Sequence, residues 1–549
     1  MAESGPVYHN FRQLARRVKV QAPITGPSLL ERLLPLELII QILQQLPVPD
    51  LIVCQRVSRT WRKTIATTTP LQIRIQCYDG QVLNGSSSTS ETSDRVSRIA
   101  SWTDSWATLR VAHNMITLQL EEMPWNYRSG SIFSCATLSQ QGISFYHLPS
   151  IQRQIPYEHW IIPDLGFQPI FICHDYTQEL VVAAENVNAA DSKHLARFHL
   201  LHDKTGERHH AASVPFLELP DGILRVHVED HDLHIYGDLL GLIVYVGHVT
   251  HLLVYNWKTA TLLKHLTGDL LSHEIVFVDN RHFLVPFMPR ELPGTYLAVV
   301  DCYRNGPTTG GTAEGTVDTA LLRDASLLLQ LPPVRRAPFI DYQAVHTMSS
   351  TGTQEGRLYP PGRPFYVDYS KRLFVLNIAI GTGFDLGVDD FKYYTLVIPA
   401  PVVLQRLEST GGARAVLPWT MWGADARFMY DALEDICSTR YLTSTRVEGR
   451  RFITVWDFAS VPALLRDARD SHVGESAAHE PSMRTCIPDP DPMPDEGEIF
   501  ARSGVLSGAP CRRVVSDIEI ADDRIVRLYE DGLVVYGESK NEPVQVYAI

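Results

Sequence analysis

No two of the eight cysteines stand in a CxxC spacing: Cys54, Cys77, Cys135, Cys173, Cys302, Cys437, Cys486 and Cys511 are scattered. That excludes a zinc ribbon and gives no disulfide framework, and it reads as a set of reduced thiols. Positive charge is also short. Lys and Arg number 49 against 62 Asp and Glu, a formal charge of −13. Nucleic acid and anionic membrane both need a basic footprint, so neither is an expected partner. The opening MAESGPVYHN lacks the apolar core of a signal peptide, and Glu3 sets the basic FRQLARRVKV that follows apart from a transit peptide. Leu239 to Trp257 carries no charge, but its glycines, histidines and β-branched residues favour two strands around GHVTH over a membrane helix. These absences together point to the cytoplasm and/or nucleus.

Chemistry is missing as well. There is no GxSxG and no GKS or GKT phosphate loop, and HEIVF at His273 has no second zincin histidine. GTGFDLG, Gly381 to Gly387, has its third glycine out of place for a dinucleotide loop and reads as a turn between strands. His227, His231 and His234 would share a helix face, but the flanking residues favour a strand, which turns His234 away from the other two. We therefore expect no catalytic residue, no metal and no cofactor.

What is present is a globular composition, 45% hydrophobic and 20% charged, over 549 residues. Helical signals come early. One helix is expected from Pro35 to Leu46, a second from Leu51 capped by Asp50, and a third, RTWRKTIA, capped by Ser58. LQIRIQCYDG, Leu71 to Gly80, alternates like a strand. Val96, Ile99, Trp102, Trp106 and Leu109 recur at helical spacing and read as core. From about Thr117 the pattern turns to strands.

A loose repeat runs through that strand-rich region. Apolar strands end in Asp203, Asn256, Asp301 and Asp457, each followed by a short polar turn, at intervals of 53, 45 and 156 residues. The last interval is about three units of ~52, the blade length of propellers. FLELP at Phe216 echoes LLQLP at Leu328. A unit that cannot bury its own face must stack on neighbours. DIEIADDRIVRLYEDGLVVYGE reads as three more strands. The polar stretches at residues 304–316 and 467–498 are expected to be disordered loops.

The first helix has too much apolar surface. Leu36, Ile39, Ile40, Leu43 and Leu46 make one stripe, Leu38 and Ile42 lie on another side, and Leu34 stands just ahead of them. A three-helix unit can cover one stripe, so the second must dock on the rest of the chain or on another protein. The letters favour the latter. Leu34-Pro35-x-Glu37-Leu38-Ile39-x-x-Ile42-Leu43-x-x-Leu46, followed without a gap by Asp50-Leu51, Val57, Ser58-Arg59 and Trp61-Arg62, resembles the F-box motif. The layout of CYDGQVLNG, the Ser-rich loop, DRVSRIASWTDSWATL and WNYRSGSIFSCA resembles a large group of fungal F-box proteins with a β-rich, propeller-like C-terminal region. The WD dipeptide is nearly absent, Trp456-Asp457 being its clearest case, which departs from a regular WD propeller.

The resemblance implies an α+β multidomain chain: an N-terminal extension (1–27), a three-helix F-box (28–70), a linker with a helix (71–116), and a mainly-β, propeller-like domain of six to eight blades (117–549). It further implies that the F-box binds a Skp-type adaptor, and through it a cullin and a RING subunit. The β domain would select an unknown protein substrate for an SCF-type ubiquitin ligase. By position, the F-box core and adaptor surface fall to Leu34, Pro35, Ile39, Ile42, Leu43, Leu46, Leu51, Val57 and Trp61. A non-ligase F-box scaffold is the alternative, and a β-propeller enzyme a more distant one.

Overall fold

The computed structural model describes residues 34–85, 90–109, 115–118, 127–129, 132–137, 141–188, 194–220, 223, 232–246, 249–268, 275–287, 294–304, 323–332, 340–343, 362–381, 391–429, 435–437, 440–447, 450–458, 512–537 and 543–548. The chain divides into two compact units, Met1–Tyr78 and Asp79–Ile549. His227 and His231, the first two residues of HEIVF at His273, most of GTGFDLG, and nearly all of the two long polar loops lie outside the described residues.

The first unit is helical. Helix α1 (Leu36–Gln45), α2 (Val48–Cys54) and α3 (Arg59–Thr67) follow in order. Ser58 caps α3, its Oγ accepting the Trp61 amide at 3.1 Å. The cap expected of Asp50 is absent. Pro47 is the residue before α2, and Asp50 sits inside its first turn, because the paired prolines start the helix three residues earlier. LQIRIQCYDG is not a strand. It belongs to helix α4, Thr69–Gly80. Leu71 and Ile75, one turn apart, enter a core made by Ile39, Leu43, Leu51 and Ile65. Ile73, on a different side, is buried too. A helix buried on more than one side shows no single apolar stripe, so its letters alternate like a strand's. Arg74 of α4 ties this helix to α1, donating to the Gln44 and Leu46 carbonyls, both at 2.6 Å. A guanidinium at a helix C-terminus satisfies orphan carbonyls and suits the helix dipole.

The second unit is a seven-bladed propeller. Blade 1 holds β3 (Tyr127–Ser129), β4 (Ile132–Thr137), β5 (Gly142–His147) and β6 (Glu158–Ile162). Blade 2 holds β7 (Pro169–Asp175), β8 (Leu180–Asn188), β9 (His194–His202) and β10 (Phe216–Glu218). Blade 3 holds β11 (Asp232–Tyr236), β12 (Leu239–Val246), β13 (Val249–Asn256) and β14 (Thr261–Gly268). The uncharged Leu239 to Trp257 stretch is thus an antiparallel pair. Among the described residues no helix is long and apolar enough to cross a membrane.

Blade 4 holds β15 (Val276–Phe277), β16 (His282–Phe287), β17 (Tyr296–Asp301) and β18 (Ala325–Gln330), widened by the parallel β23 (Ala415–Leu417). Blade 5 holds β19 (Ile340–Gln343), β21 (Leu373–Gly381), β22 (Phe391–Pro399) and β24 (Arg427–Met429). Between β22 and β24 the chain makes two helices besides β23, Ala400–Ser409 and Trp419–Trp422, which pack on blades 4 and 5. Blade 6 holds β25 (Asp435–Cys437), β26 (Arg440–Val447), β27 (Arg450–Asp457) and β28 (Arg512–Ile520). Blade 7 takes β29 (Arg524–Tyr529), β30 (Gly532–Gly537) and β31 (Val544–Ala548) from the C-terminal end, and β2 (Met115–Leu118) from far upstream.

The ring closes because each blade shares a buried apolar layer or close strand contacts with the next. Blades 7 and 1 meet through Leu118, Phe133, Tyr146, Val534 and Val546, and blades 5 and 6 through Val375, Val397 and Trp456. Blades 6 and 7 meet where β25 runs beside β29. The first strands of successive blades adjoin, as β7 does β11, so first strands surround the axis and fourth strands form the rim.

The sequence repeat is a real structural position. Asn256, Asp301 and Asp457 end the third strand of blades 3, 4 and 6, and Asp203 follows the third strand of blade 2. Asp203 and Asp301 join the turn each begins to the first hairpin of its own blade, and Asn256 closes its own turn. Asp203 Oδ2 meets His174 Nε2 at 3.2 Å, Asp301 Oδ2 accepts Arg281 Nη2 at 2.8 Å, and Asn256 Oδ1 accepts the Lys258 and Thr259 amides at 3.1 Å. FLELP and LLQLP both lie on fourth strands. The 156-residue interval was misdivided. It spans two blade steps, from blade 4 through blade 5 to blade 6, and the surplus length is divided between the long β17–β18 connection of blade 4 and insertions within blade 5.

One end of the propeller is covered by its own chain. Strand β1 (Val82–Asn84) pairs with β20 (Phe365–Val367), and helix α5 (Thr92–Thr108) lies with them. Trp102 Nε1 donates to Asp531 Oδ1 in the first hairpin of blade 7 at 3.1 Å. The Arg440 guanidinium, from the first hairpin of blade 6, sits 4.6 and 4.1 Å from the Trp102 and Trp106 rings. Arg98 and Ser101 bond the loop between the third and fourth strands of blade 1. Arg372, just after β20, donates to the Phe277 and Val278 carbonyls in blade 4 at 2.9 and 2.7 Å. The tryptophans read as core are core, at 1% exposure each.

His147, at the end of β5, is buried near this cap. Burial, then the Arg363 and Arg153 charges, lower its pKa from 6.5 to about 3. The unfolded chain therefore binds the extra proton first, and stability falls as pH drops from 6.5 towards 3. His147→Gln is expected to flatten that part of the profile, as read from thermal melts across this range.

Candidate functional site

The apolar surplus of α1 resolves into two faces. Ile39 and Leu43 are buried in the core of the helical unit together with Leu51 of α2. Leu34, Leu46 and Trp61 pack partly against that core. Leu38 and Ile42 stand out at 44% and 48% exposure, one turn apart. With Leu34, Gln41, Gln44 and Gln45 they line an open groove of about 410 Å³. Val53 on α2 and Val57 in the turn after it are also exposed, at 61% and 59%.

The nine residues singled out from the sequence therefore have three environments. Ile39, Leu43 and Leu51 form core. Leu34, Leu46 and Trp61 sit between core and surface. Pro35, Ile42 and Val57 are exposed. Leu38, Leu36 and Val53 are equally exposed and were not singled out. The helical wheel already put Leu38 beside Ile42, and that signal suffices to find it. Leu36, grouped by the wheel with Ile39 and Leu43, is in fact 51% exposed, because it stands at the first turn beyond the reach of α3 and α4.

Nothing in the groove is built for covalent chemistry. Its polar groups are three glutamine amides. Burial, with Asp50 adding to it, pushes the Cys54 thiol up, so it is held as a thiol and not as a nucleophilic thiolate. Exposing each large aliphatic side chain forgoes about 1.5–3 kcal/mol of burial. Several such side chains on one small unit form a surface suited to covering by another protein.

Fold and surface together define a class: a small helical unit with an exposed apolar face followed, along the chain, by a seven-bladed propeller. Within it, the helical unit is an F-box domain, whose family model matches residues 32–70. No curated protein matches the chain. Among solved structures the chain is similar to a GH43 β-xylosidase/α-arabinofuranosidase from a compost microbial metagenome, at 8% identity, covering 63% of this chain and 91% of that one, with a TM-score of 0.16. A likeness of that size carries no functional argument.

Proposed function

We propose that the protein is the substrate-receptor subunit of an SCF-type cullin-RING ubiquitin ligase, acting in the cytoplasm and/or nucleus. The observation that carries this reading is the coincidence of the F-box match with an exposed apolar face. F-box domains in general bind Skp-type adaptors. The face made by Leu34, Pro35, Leu38 and Ile42, continued by Val53 and Val57, is the surface we assign to that adaptor, with cullin and RING subunit following through it.

The propeller fits a target-binding domain. Its α5-covered end is filled by the chain itself, so the target is assigned to the opposite end. The subunit needs no catalytic residue in this role. It raises the local concentration of a target lysine beside the charged ubiquitin thioester.

Affinity purification of the full chain tests the reading. A Skp-type adaptor and a cullin are expected together in the eluate. Adaptor without cullin would support a non-ligase scaffold, and absence of the adaptor would sink the proposal.

A further inference from the structure

Blades 7 and 1 are joined twice, once at the rim and once closer to the axis. At the rim, β2 pairs with β31 over only four residues, Met115–Leu118 against Val544–Tyr547. Closer to the axis lies a second junction. Glu530 and Asp531 form the first hairpin of blade 7. Arg153 comes from blade 1, between its third and fourth strands, and is 1% exposed. Its Nε donates to Asp531 Oδ1 and Oδ2 at 3.0 and 2.9 Å, and its Nη2 to Asp531 and Glu530. Two further groups complete the cluster. Trp102 of α5 donates to Asp531, and the Tyr369 hydroxyl donates to Glu530.

These charges are all at or below 2% exposure. Burial alone would lower the Arg153 pKa, but Asp531 and Glu530 hold it well above its ordinary value. Burial would raise the Glu530 carboxyl, and Arg153, followed by Tyr369, brings it below the usual range. Parting blade 7 from blade 1 would separate a buried cation from the two buried carboxylates that neutralise it.

We propose that this cluster is an inner latch, which keeps blade 7 attached to blade 1 when the short β2–β31 ladder opens. The segment that precedes the first blade contributes to both fasteners, Trp102 of α5 to the latch and β2 to the ladder. The centre of the latch belongs to the blades themselves, Arg153 of blade 1 and the Glu530–Asp531 turn of blade 7. A rim strand of four residues frays readily. The latch lets it do so without opening the ring.

Hydrogen–deuterium exchange on the full chain tests this with two mild variants. Trp102→Phe removes one bond to Asp531 and keeps an aromatic ring. Ile116→Pro breaks the ladder at the rim. Ile116→Pro alone is expected to speed exchange in β31 and leave β29, β30 and β5 protected. The two together are expected to speed exchange across blade 7 by about tenfold more than the product of the single effects. If Ile116→Pro alone exposes all of blade 7, or if Trp102→Phe affects α5 and nothing in blade 7 even in the double variant, the latch does not exist. Trp102→Phe is read independently of Asp531 substitutions, so a failure of the latter to fold leaves the test standing.

Discussion

Leu38→Asp combined with Ile42→Asp is expected to abolish the proposed adaptor capture and to leave the propeller's melting transition where it is. Both side chains lie in the groove on α1 and are nearly half exposed. The free protein therefore tolerates a carboxylate at either position with little change in stability. In a complex the same carboxylates would be desolvated against an apolar partner with nothing to pair them. Central interface anchors typically cost ~2 kcal/mol or more each when truncated, and a buried unpaired charge costs more. The expected outcome is at least a hundredfold loss of affinity, read by calorimetric titration with purified adaptor. Ile39→Asp is the contrasting variant. It is expected to unfold the helical unit, since Ile39 is 5% exposed and packed in its core. Wild-type affinity in the double variant would move the docking surface elsewhere.

Asp531→Ala is expected to destabilise the propeller by about 3–5 kcal/mol. It removes the carboxylate that receives Arg153 Nε and the Trp102 indole, and leaves the buried guanidinium with one of its two carboxylates, Glu530, in a site closed to water. The comparison is Arg446→Ala, which breaks an ion pair with Asp522 of similar length, 2.8 Å, but about 60% exposed on each side. Solvent screening limits such a pair to ~1 kcal/mol or less. If thermal denaturation finds the two variants melting together, burial is not what gives the Arg153 cluster its strength.

Much of the helical structure could be read in the letters. The Ser58 cap, the apolar positions of α1 and, in the second unit, the tryptophans of α5 follow from local rules of spacing and capping, which act within a turn or two of helix. α4 could not be read this way. Its Leu71, Ile73 and Ile75 answer to neighbours on more than one side, and a pattern made by two different surroundings imitates a strand. Asp50 failed for a smaller reason, since Pro47 and Pro49 set the start of α2 before any side-chain cap could.

In the propeller, the recurring Asp or Asn showed that units repeat, because it stands where the third strand of a blade gives way to a turn, which Asn256 and Asp301 close with their own side chains. Local turns do not count blades. The long β17–β18 connection of blade 4 and the insertions within blade 5 stretched the interval, and blade 7 borrows β2 from a place some 400 residues upstream in sequence.

The sequence by itself determined that the chain has a helical module with more apolar surface than it can bury, followed by stacked β units without catalytic motifs. Composition and short-range periodicity suffice for that. Only the tertiary structure decided which leucines are core and which are surface, that the blades number seven, and that Arg153, Trp102 and Asp531 meet. Those outcomes depend on contacts between residues hundreds of positions apart. Their partners are fixed by ring closure and burial, which leave no local signature in the sequence.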